Sequence, residues 1–204
     1  MVNYEIGILS RGGQGGVTLG KVLAYAASYD GKYTSAIPKY GAERRGAPVV
    51  ASVRIFDRPV RRHAQIPVPS EMISLDVSLV PRFYTYDVFE GKGSLTLNTG
   101  NVPEAYYLYT PQKFGYANVQ EIAKKHGLVK SGSTLIGIPT LGAFVATTKI
   151  VTLESLHKAV DKMFPHSSYL KGNHDAVDDV HDNTVILSLD ELKELKKEEN
   201  VIGN

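Results

Sequence analysis

Arg11-Gly-Gly-Gln-Gly15, followed by Gly16, is the stretch of this 204-residue chain best suited to hold an anion. Glycines let the backbone come close to a phosphate and adopt positive φ. A strand-to-helix junction adds free amide N–H groups and the positive end of the helix. Arg11 contributes a guanidinium alongside. Three readings of the loop compete on its residues alone. A dinucleotide fingerprint needs Gly-x-Gly-x-x-Gly, but Gly13-x-Gly15 is followed by Thr18 where the third glycine belongs, and Asp30 comes early for a ribose-binding acid. A P-loop would have to be Gly15 to Val22, where Val22 replaces the Mg²⁺-binding hydroxyl and Gly20-Lys21 fall within the periodic part of a helix. The third reading is a tight turn whose glycines serve packing.

A second group lies about 25 residues on. Pro38-Lys-Tyr-Gly-Ala-Glu-Arg-Arg-Gly-Ala-Pro48 is rich in Pro and Gly, so it is held in one shape, and Glu43, Arg44 and Arg45 need partners. Six of the eight arginines fall between Arg44 and Arg62 (Arg44, Arg45, Arg54, Arg58, Arg61, Arg62). The arginine fork suits phosphate and carboxylate, so the cluster points to a surface meeting a phosphate or another protein, against the plainer reading of a solvated basic face. Farther on, His174, Asp178 and His181 fall at i, i+4 and i+7. They have the spacing of metal ligands on one helix face, although such a segment is more often a solvated acidic helix. Tyr106-Tyr-Leu-Tyr109 alternates like a strand.

The elements that must carry these groups are read from periodicity. Tyr4 to Leu9 is a short apolar strand. The helix from Val17 to Tyr29 places Leu19, Val22, Leu23 and Ala26 on one face and stops at Asp30-Gly31. Tyr33 to Ile37 is the next strand, which makes an opening βαβ unit of a parallel sheet. In such a sheet the loops after the first two strands emerge together at the carboxyl ends, so the glycine loop and the arginine loop are expected to be neighbours. Strands are expected at Val49 to Ile55, Glu71 to Leu75, Ser94 to Leu97 and Tyr106 to Tyr109. Helices are expected at Tyr116–His126, Leu141–Thr148 and Leu153–Phe164. The last of these has Thr152 as N-cap and Val151 with Leu156 as a hydrophobic staple. A final helix from Leu189 opens on a Ser188-x-x-Glu191 capping box. The expected fold is α/β: a single Rossmann-like domain over residues 1–204, with a mostly parallel sheet flanked by helices and a helical C-terminal tail at about 185–204.

Composition bounds the function. Apolar residues make up 43% of the chain, enough for a sizeable core, and a net charge of +2 gives no footprint for nucleic acid. There is no cysteine, which excludes disulfides and cysteine-ligated iron–sulfur or zinc centres in this chain. Met1-Val-Asn-Tyr-Glu-Ile is not a signal peptide, and no apolar stretch reaches the ~20 residues of a membrane span. The expectation is a cytoplasmic protein without membrane contact. From Glu154 onward eleven acidic residues face six lysines, so the tail is acidic. Paired catalytic carboxylates, a Gly-x-Ser-x-Gly elbow and a His-Glu-x-x-His pair do not occur.

Arg11-Gly-Gly-Gln-Gly15 opening a helix, followed by Tyr40-Gly-Ala-Glu-Arg-Arg-Gly-Ala-Pro48, resembles the gamma subunit, or gamma domain, of 2-oxoacid:ferredoxin oxidoreductases. Val53-Arg-Ile55, Thr140-Leu-Gly-Ala143 and Asn173 are similar to the same family, and the resemblance runs over roughly residues 4 to 180. Ser131 to Pro139 departs from the asparagine-bearing stretch the family carries before Leu-Gly-Ala. The second motif is closer to the pyruvate and 2-oxoisovalerate members than to the 2-oxoglutarate members.

The resemblance implies a subunit that supports oxidative decarboxylation of a 2-oxoacid to an acyl-coenzyme A, with electrons passed to ferredoxin. It implies no cofactor in this chain. Thiamine diphosphate, Mg and [4Fe–4S] clusters would belong to alpha, beta and delta-type partners, and ferredoxin would be met indirectly. Coenzyme A is the cosubstrate whose phosphates fit a donor-rich cationic loop. Arg11, Gly12, Gly13, Gln14, Gly15, Arg44 and Arg45 are therefore expected to hold those phosphates or to form the subunit interface beside the active site. No residue is expected to be catalytic or to bind metal. The alternative is a stand-alone nucleotide- or acyl-CoA-binding α/β module without electron-transfer partners.

Overall fold

The computed structural model describes residues 3–38, 46–61, 64, 66–85, 88–103 and 106–202. A seven-stranded sheet forms its centre. The elements along the chain are β1 (Asn3–Arg11), α1 (Gly16–Tyr29), β2 (Tyr33–Pro38), β3 (Pro48–Phe56), β4 (Glu71–Ser74), α2 (Val80–Phe83), β5 (Ser94–Asn98) and β6 (Lys113–Ala117). They continue with α3 (Val119–Lys125), the two-residue strands β7 (Val129–Lys130) and β8 (Ser133–Thr134), α4 (Gly137–Thr148), α5 (Leu153–Met163), α6 (Leu170–Asp182), β9 (Val185–Ser188) and α7 (Leu189–Ile202). Strand order is β2-β3-β1-β4-β5-β6-β9. β1, β4, β5 and β6 pair in parallel, whereas β3 runs antiparallel between β1 and β2, and β9 antiparallel beside β6. Five of the seven strands thus point one way, and the sheet is mostly parallel.

The opening unit departs from the expected βαβ in one respect. β1 and β2 do point the same way, but β3 lies between them, with Tyr4 opposite Ile55 and Thr34 opposite Ile55 on its other side. β3 is buried at Ala51, Val53 and Ile55, which an interior position requires. β2 is left at the sheet edge.

Alternation along β1 sends Ile6 and Ile8 into one core and Leu9 into another. The first core lies under α1, α3, α4, α5 and α6. The second, on the opposite face, is closed by Leu79 and Val80, by Phe89, by Tyr106 and Tyr109, and by Leu192 of α7. No helix among the described residues is long and apolar enough to cross a membrane.

Several expected boundaries move. α4 begins at Gly137 rather than Leu141, because Pro139 sits in the first turn, where its missing N–H costs nothing. Eleven of its twelve residues, Gly137–Thr147, are buried, the signature of a helix enclosed on all sides. Tyr106–Tyr109 is a 3₁₀ turn and not a strand. A spacing of three brings Tyr106 and Tyr109 edge to face, with centroids 5.3 Å apart, into the second core. The helix expected from Tyr116 starts at Val119: Lys113–Ala117 is β6, and Asn118 caps α3 by accepting the Glu121 N–H. The tail is not helical throughout, since Val185–Ser188 adds β9 to the sheet before α7 begins. The Thr152 N-cap and the reciprocal Ser188–Glu191 capping box are both formed.

Candidate functional site

The glycine loop follows β1 and runs straight into α1. Gly15 is the N-cap at φ 86°, and Gly13 has φ 97°, both left-handed conformations that glycine adopts without a Cβ penalty. Gly16 has a different reason: a Cβ there would lie 2.1 Å from Ser10 Oγ, so glycine lets the helix start against β1. Gln14 folds back, its Oε1 accepting the Arg11 N–H at 2.6 Å.

Arg11 does not line the cleft above the loop. Its Nε–H donates to the Asp76 carboxylate, Nη1 to the Gly46 carbonyl at 3.2 Å, and Nη2 to Ser78 Oγ at 2.8 Å. One guanidinium thereby ties together the ends of β1, β3 and β4. Burial works against ionisation of Asp76, but hydrogen bonds from Ser78 and Arg11 outweigh it and hold this carboxyl below its usual range.

The two sequence motifs meet where they can be followed. Gly12 N–H donates to the Ala47 carbonyl at 2.8 Å and Gly46 N–H to the Gly12 carbonyl at 3.0 Å, continuing the β1–β3 ladder. The proximity comes from the antiparallel return of β3 and not from two parallel neighbours. Arg44 and Arg45 lie outside the described residues. Arg54 leaves the basic cluster altogether. It is 1% exposed, its Nε donates to Glu5 Oε1 at 2.7 Å, and its Nη1 to the Ala64 carbonyl at 2.6 Å. This arginine is an internal strut.

Beside the loop lies a cleft of about 280 Å³ lined by Gly13, Gln14, Gly15 and Thr18, by Lys130 and Leu135, by Gly137 and Ile138, and by Phe164, Ser167, Tyr169 and Asn173. Two helix starts converge there. A Cβ on Gly137 would come within 3.0 Å of the Gln14 carbonyl, so glycine at this position lets α4 begin against the loop. Neither α1 nor α4 has a side-chain N-cap or an acidic residue in its first turn. Their leading N–H groups are therefore the orphan donors of two helices at one place. Among the described residues, Lys130 is the cation in the lining and no carboxylate lines the cleft. Asn173 is 7% exposed. Its Nδ2 donates to the Tyr169 carbonyl at 2.9 Å. Chemically the arrangement can take an anion with an adjoining apolar portion, which Leu135, Ile138 and Phe164 can cover.

Sequence reasoning missed Lys130, Gly137, Phe164 and Tyr169 as part of this site. Lys130 had one local signal, the turn Ser131-Gly132 with φ 49° and 74°, a hairpin turn that presents the lysine on β7.

The other candidates separate. Asp30 is not available to a ribose, because its carboxylate accepts the Thr152 N–H and Oγ1–H, both at 2.8 Å, and Ser155 Oγ–H at 2.6 Å, tying α1 to the start of α5. Gly20 and Lys21 lie inside α1, with Gly20 packed on Ile8 and Val53, which rules out a P-loop. His174 and Asp178 both meet His157, whereas His181 stands apart, so the three do not form one ligand set. His174 Nε2 meets Asp161 at 2.7 Å, Asp178 meets His157 Nε2 at 2.7 Å, and His181 Nδ1 meets Asp182 at 2.9 Å. Among the described residues no group of three or more His, Asp or Glu is placed to hold a metal.

The sequence profile described as pyruvate ferredoxin/flavodoxin oxidoreductase matches residues 5–182. The pyruvate synthase subunit PorC of Methanothermobacter marburgensis is 39% identical over 166 residues, 79% of this chain and 86% of the relative. The common subunit gamma of the pyruvate/ketoisovalerate oxidoreductases of Thermococcus litoralis is 36% identical, covering 91% of this chain and 99% of the relative. The crystal structure of the pyruvate oxidoreductase subunit PORC of Thermotoga maritima superposes with a TM-score of 0.72 at 28% identity, over 91% of this chain and 99% of that one.

Proposed function

The chain belongs to the pyruvate ferredoxin/flavodoxin oxidoreductase family, and on that premise we propose that it is the gamma-type subunit of a cytoplasmic 2-oxoacid:ferredoxin oxidoreductase acting on pyruvate or a related 2-oxoacid. The observation that carries the reading is the match to PorC and common gamma subunits over nearly their whole length, 86% and 99%. A stand-alone binding module has no comparable support.

In this reading the bond-making chemistry is done in alpha, beta and delta-type partner chains, which hold thiamine diphosphate with Mg and the [4Fe–4S] clusters and hand electrons to ferredoxin. This chain has no cysteine, so its residues do not fit a cluster. Alone it is inactive. Its own contribution is to bind and orient coenzyme A at the glycine-loop cleft. Orphan N–H groups of α1 and α4, with Lys130, suit a phosphate, while Phe164 and Ile138 suit the apolar part beside it. A volume of about 280 Å³ is too small for all of coenzyme A, so one end is held here and the remainder reaches toward a partner chain. Gly12 and Arg11 shape the loop from behind, and Gly13 to Gly15 face the ligand.

The test is Gly13→Val in the assembled enzyme. A Cβ at Gly13 meets nothing within 4 Å, so packing is spared, but φ 97° is strained for valine and the side chain blocks backbone approach. The Michaelis constant for coenzyme A should rise roughly tenfold, a loss of about 1.4 kcal/mol, with that for the 2-oxoacid little changed. The reverse pattern would move the loop to the thiamine side. No change in either, with assembly intact, would leave it a packing turn.

A further inference from the structure

A lysine on a hairpin of two-residue strands has little of its own to hold it over a cleft. In the β7–β8 hairpin Val129 stands opposite Thr134 and Lys130 opposite Ser133, and every residue from Val129 to Ser133 is exposed. A lone two-stranded hairpin is marginal in water, so its orientation is set from outside. The base is anchored. Leu128 is fully buried, its carbonyl accepts the Leu135 N–H at 2.8 Å, and a Cβ on Gly172 would come within 3.1 Å of its side chain, so α6 begins hard against this joint. Beyond the base, the hydroxyl of Tyr169, the N-cap of α6, donates to the Val129 carbonyl at 3.0 Å, across 40 positions of sequence. Tyr169 is itself fixed. Its N–H donates to Ser167 Oγ at 3.1 Å, and its carbonyl accepts both the N–H and the Nδ2 of the buried Asn173 at 2.9 Å.

We propose that Tyr169 is a positioning residue for Lys130, holding the lysine at the anion end of the cleft through the Val129 peptide. This rests on the reading given above, in which Lys130 meets a phosphate of coenzyme A. The physical route is short. The peptide linking Val129 to Lys130 is planar, so the carbonyl that Tyr169 holds and the amide nitrogen of Lys130 move as one body. Lysine carries a point charge on a flexible stem, so where that charge can reach depends on where the backbone puts its Cα. Tyr169 also lines the cleft, and phenylalanine in its place keeps the ring while losing only the hydroxyl. Without the hydroxyl the hairpin samples more orientations, and a ligand that needs Lys130 must restore one of them at an entropic cost.

Hydrogen exchange on the full chain tests the latch with no ligand present. Tyr169→Phe should speed exchange at the amides of residues 129–135 about fivefold, with Tm nearly unchanged. Exchange equal to wild type would overturn the proposal. In the assembled enzyme, Lys130→Ala should raise the Michaelis constant for coenzyme A about tenfold and Tyr169→Phe about fivefold, each more than it lowers kcat. The double variant separates positioning from direct contact. A hydroxyl that acts only through the lysine adds nothing in the Lys130→Ala background. An additive loss there would make Tyr169 a ligand contact or a general support of the fold, and would overturn the positioning role. A hairpin that loosens in Tyr169→Phe while Lys130→Ala leaves coenzyme A untouched would instead overturn the reading of the cleft, and the positioning role with it.

Discussion

Two carboxyl groups at opposite ends of one strand, β4, illustrate how position alone sets opposite behaviour. Asp76 lies just beyond β4, where hydrogen bonds from Ser78 and Arg11 prevail over burial and hold its pKa down. A lowered value means that its stabilising contribution is present above the unfolded carboxyl's range, near 3.8, and is lost as pH falls through the folded value. Asp76→Asn should therefore cost about 1–2 kcal/mol at pH 7, and the gap to wild type should close in urea titrations carried toward pH 3. Glu71 starts the same strand but is 7% exposed. Burial raises its pKa, only partly offset by hydrogen bonding from Ser94 and by Lys113. The sign is reversed: its contribution is complete below the unfolded value, 4.5, and is lost as pH rises through the folded one. Glu71→Gln, which keeps an acceptor for Ser94, should raise stability on the order of 1 kcal/mol at pH 7 and give no gain at pH 4. A lower Tm at pH 7 would show that the ionised form is the one the fold prefers.

At the scale of elements, the site depends on how closely α4 is held. The Thr140-Leu-Gly-Ala143 stretch was legible as a motif, but its physical purpose is visible only in the packing. A Cβ on Gly142 would lie 2.3 Å from the Val177 carbonyl and 3.1 Å from the His181 amide, so glycine allows α4 and α6 to touch backbone to backbone. Gly115 likewise leaves room on β6 for the Thr147 side chain of α4. α4 carries Gly137 and Ile138 to one wall of the cleft and α6 carries Asn173 to another. Gly142→Ala should destabilise the fold by about 1–3 kcal/mol through overpacking. It should also disturb coenzyme A kinetics in the assembled enzyme more than a surface Gly→Ala of equal Tm cost. Equal kinetics in the two would mean that the helix spacing does not govern the cleft.

For the whole molecule, we propose the arginine segment as a contact to partner chains. Its far end, Gly46–Ala47, is laced to Gly12, while Arg44 and Arg45 lie outside the described residues. In our reading they meet a partner chain or the coenzyme A phosphates. Arg44→Ala with Arg45→Ala should leave the isolated chain's Tm unchanged but weaken assembly or acyl-CoA formation by ~2–5 kcal/mol, roughly 30-fold to several-thousand-fold, if a desolvated charge pair is broken. A double variant that assembles and turns over like wild type would reduce the segment to a solvated face.

Much of this was determined by the linear sequence, because the information was local. The glycine loop between an apolar run and an i, i+3, i+4, i+7 pattern specifies a strand, a turn and a helix. Thr152 and Ser188 mark helix starts, and two motifs at a set separation identify the family. What only the tertiary structure decided depends on contacts between residues far apart in the chain. Arg54 and Arg11 look like surface cations in sequence, yet one is consumed by Glu5 and the other by Asp76. β3 inserts between β1 and β2 because its Val53 and Ile55 must be buried on an interior strand. Val185–Ser188 becomes a strand because β6 offers it an edge. Lys130, Gly137, Phe164 and Asn173 are scattered over more than forty residues and come together around the glycine loop only when α4 and α6 pack. No periodicity encodes that meeting, since it is set by the absence of a side chain at Gly137 and Gly142 and by the shape of everything they allow to approach.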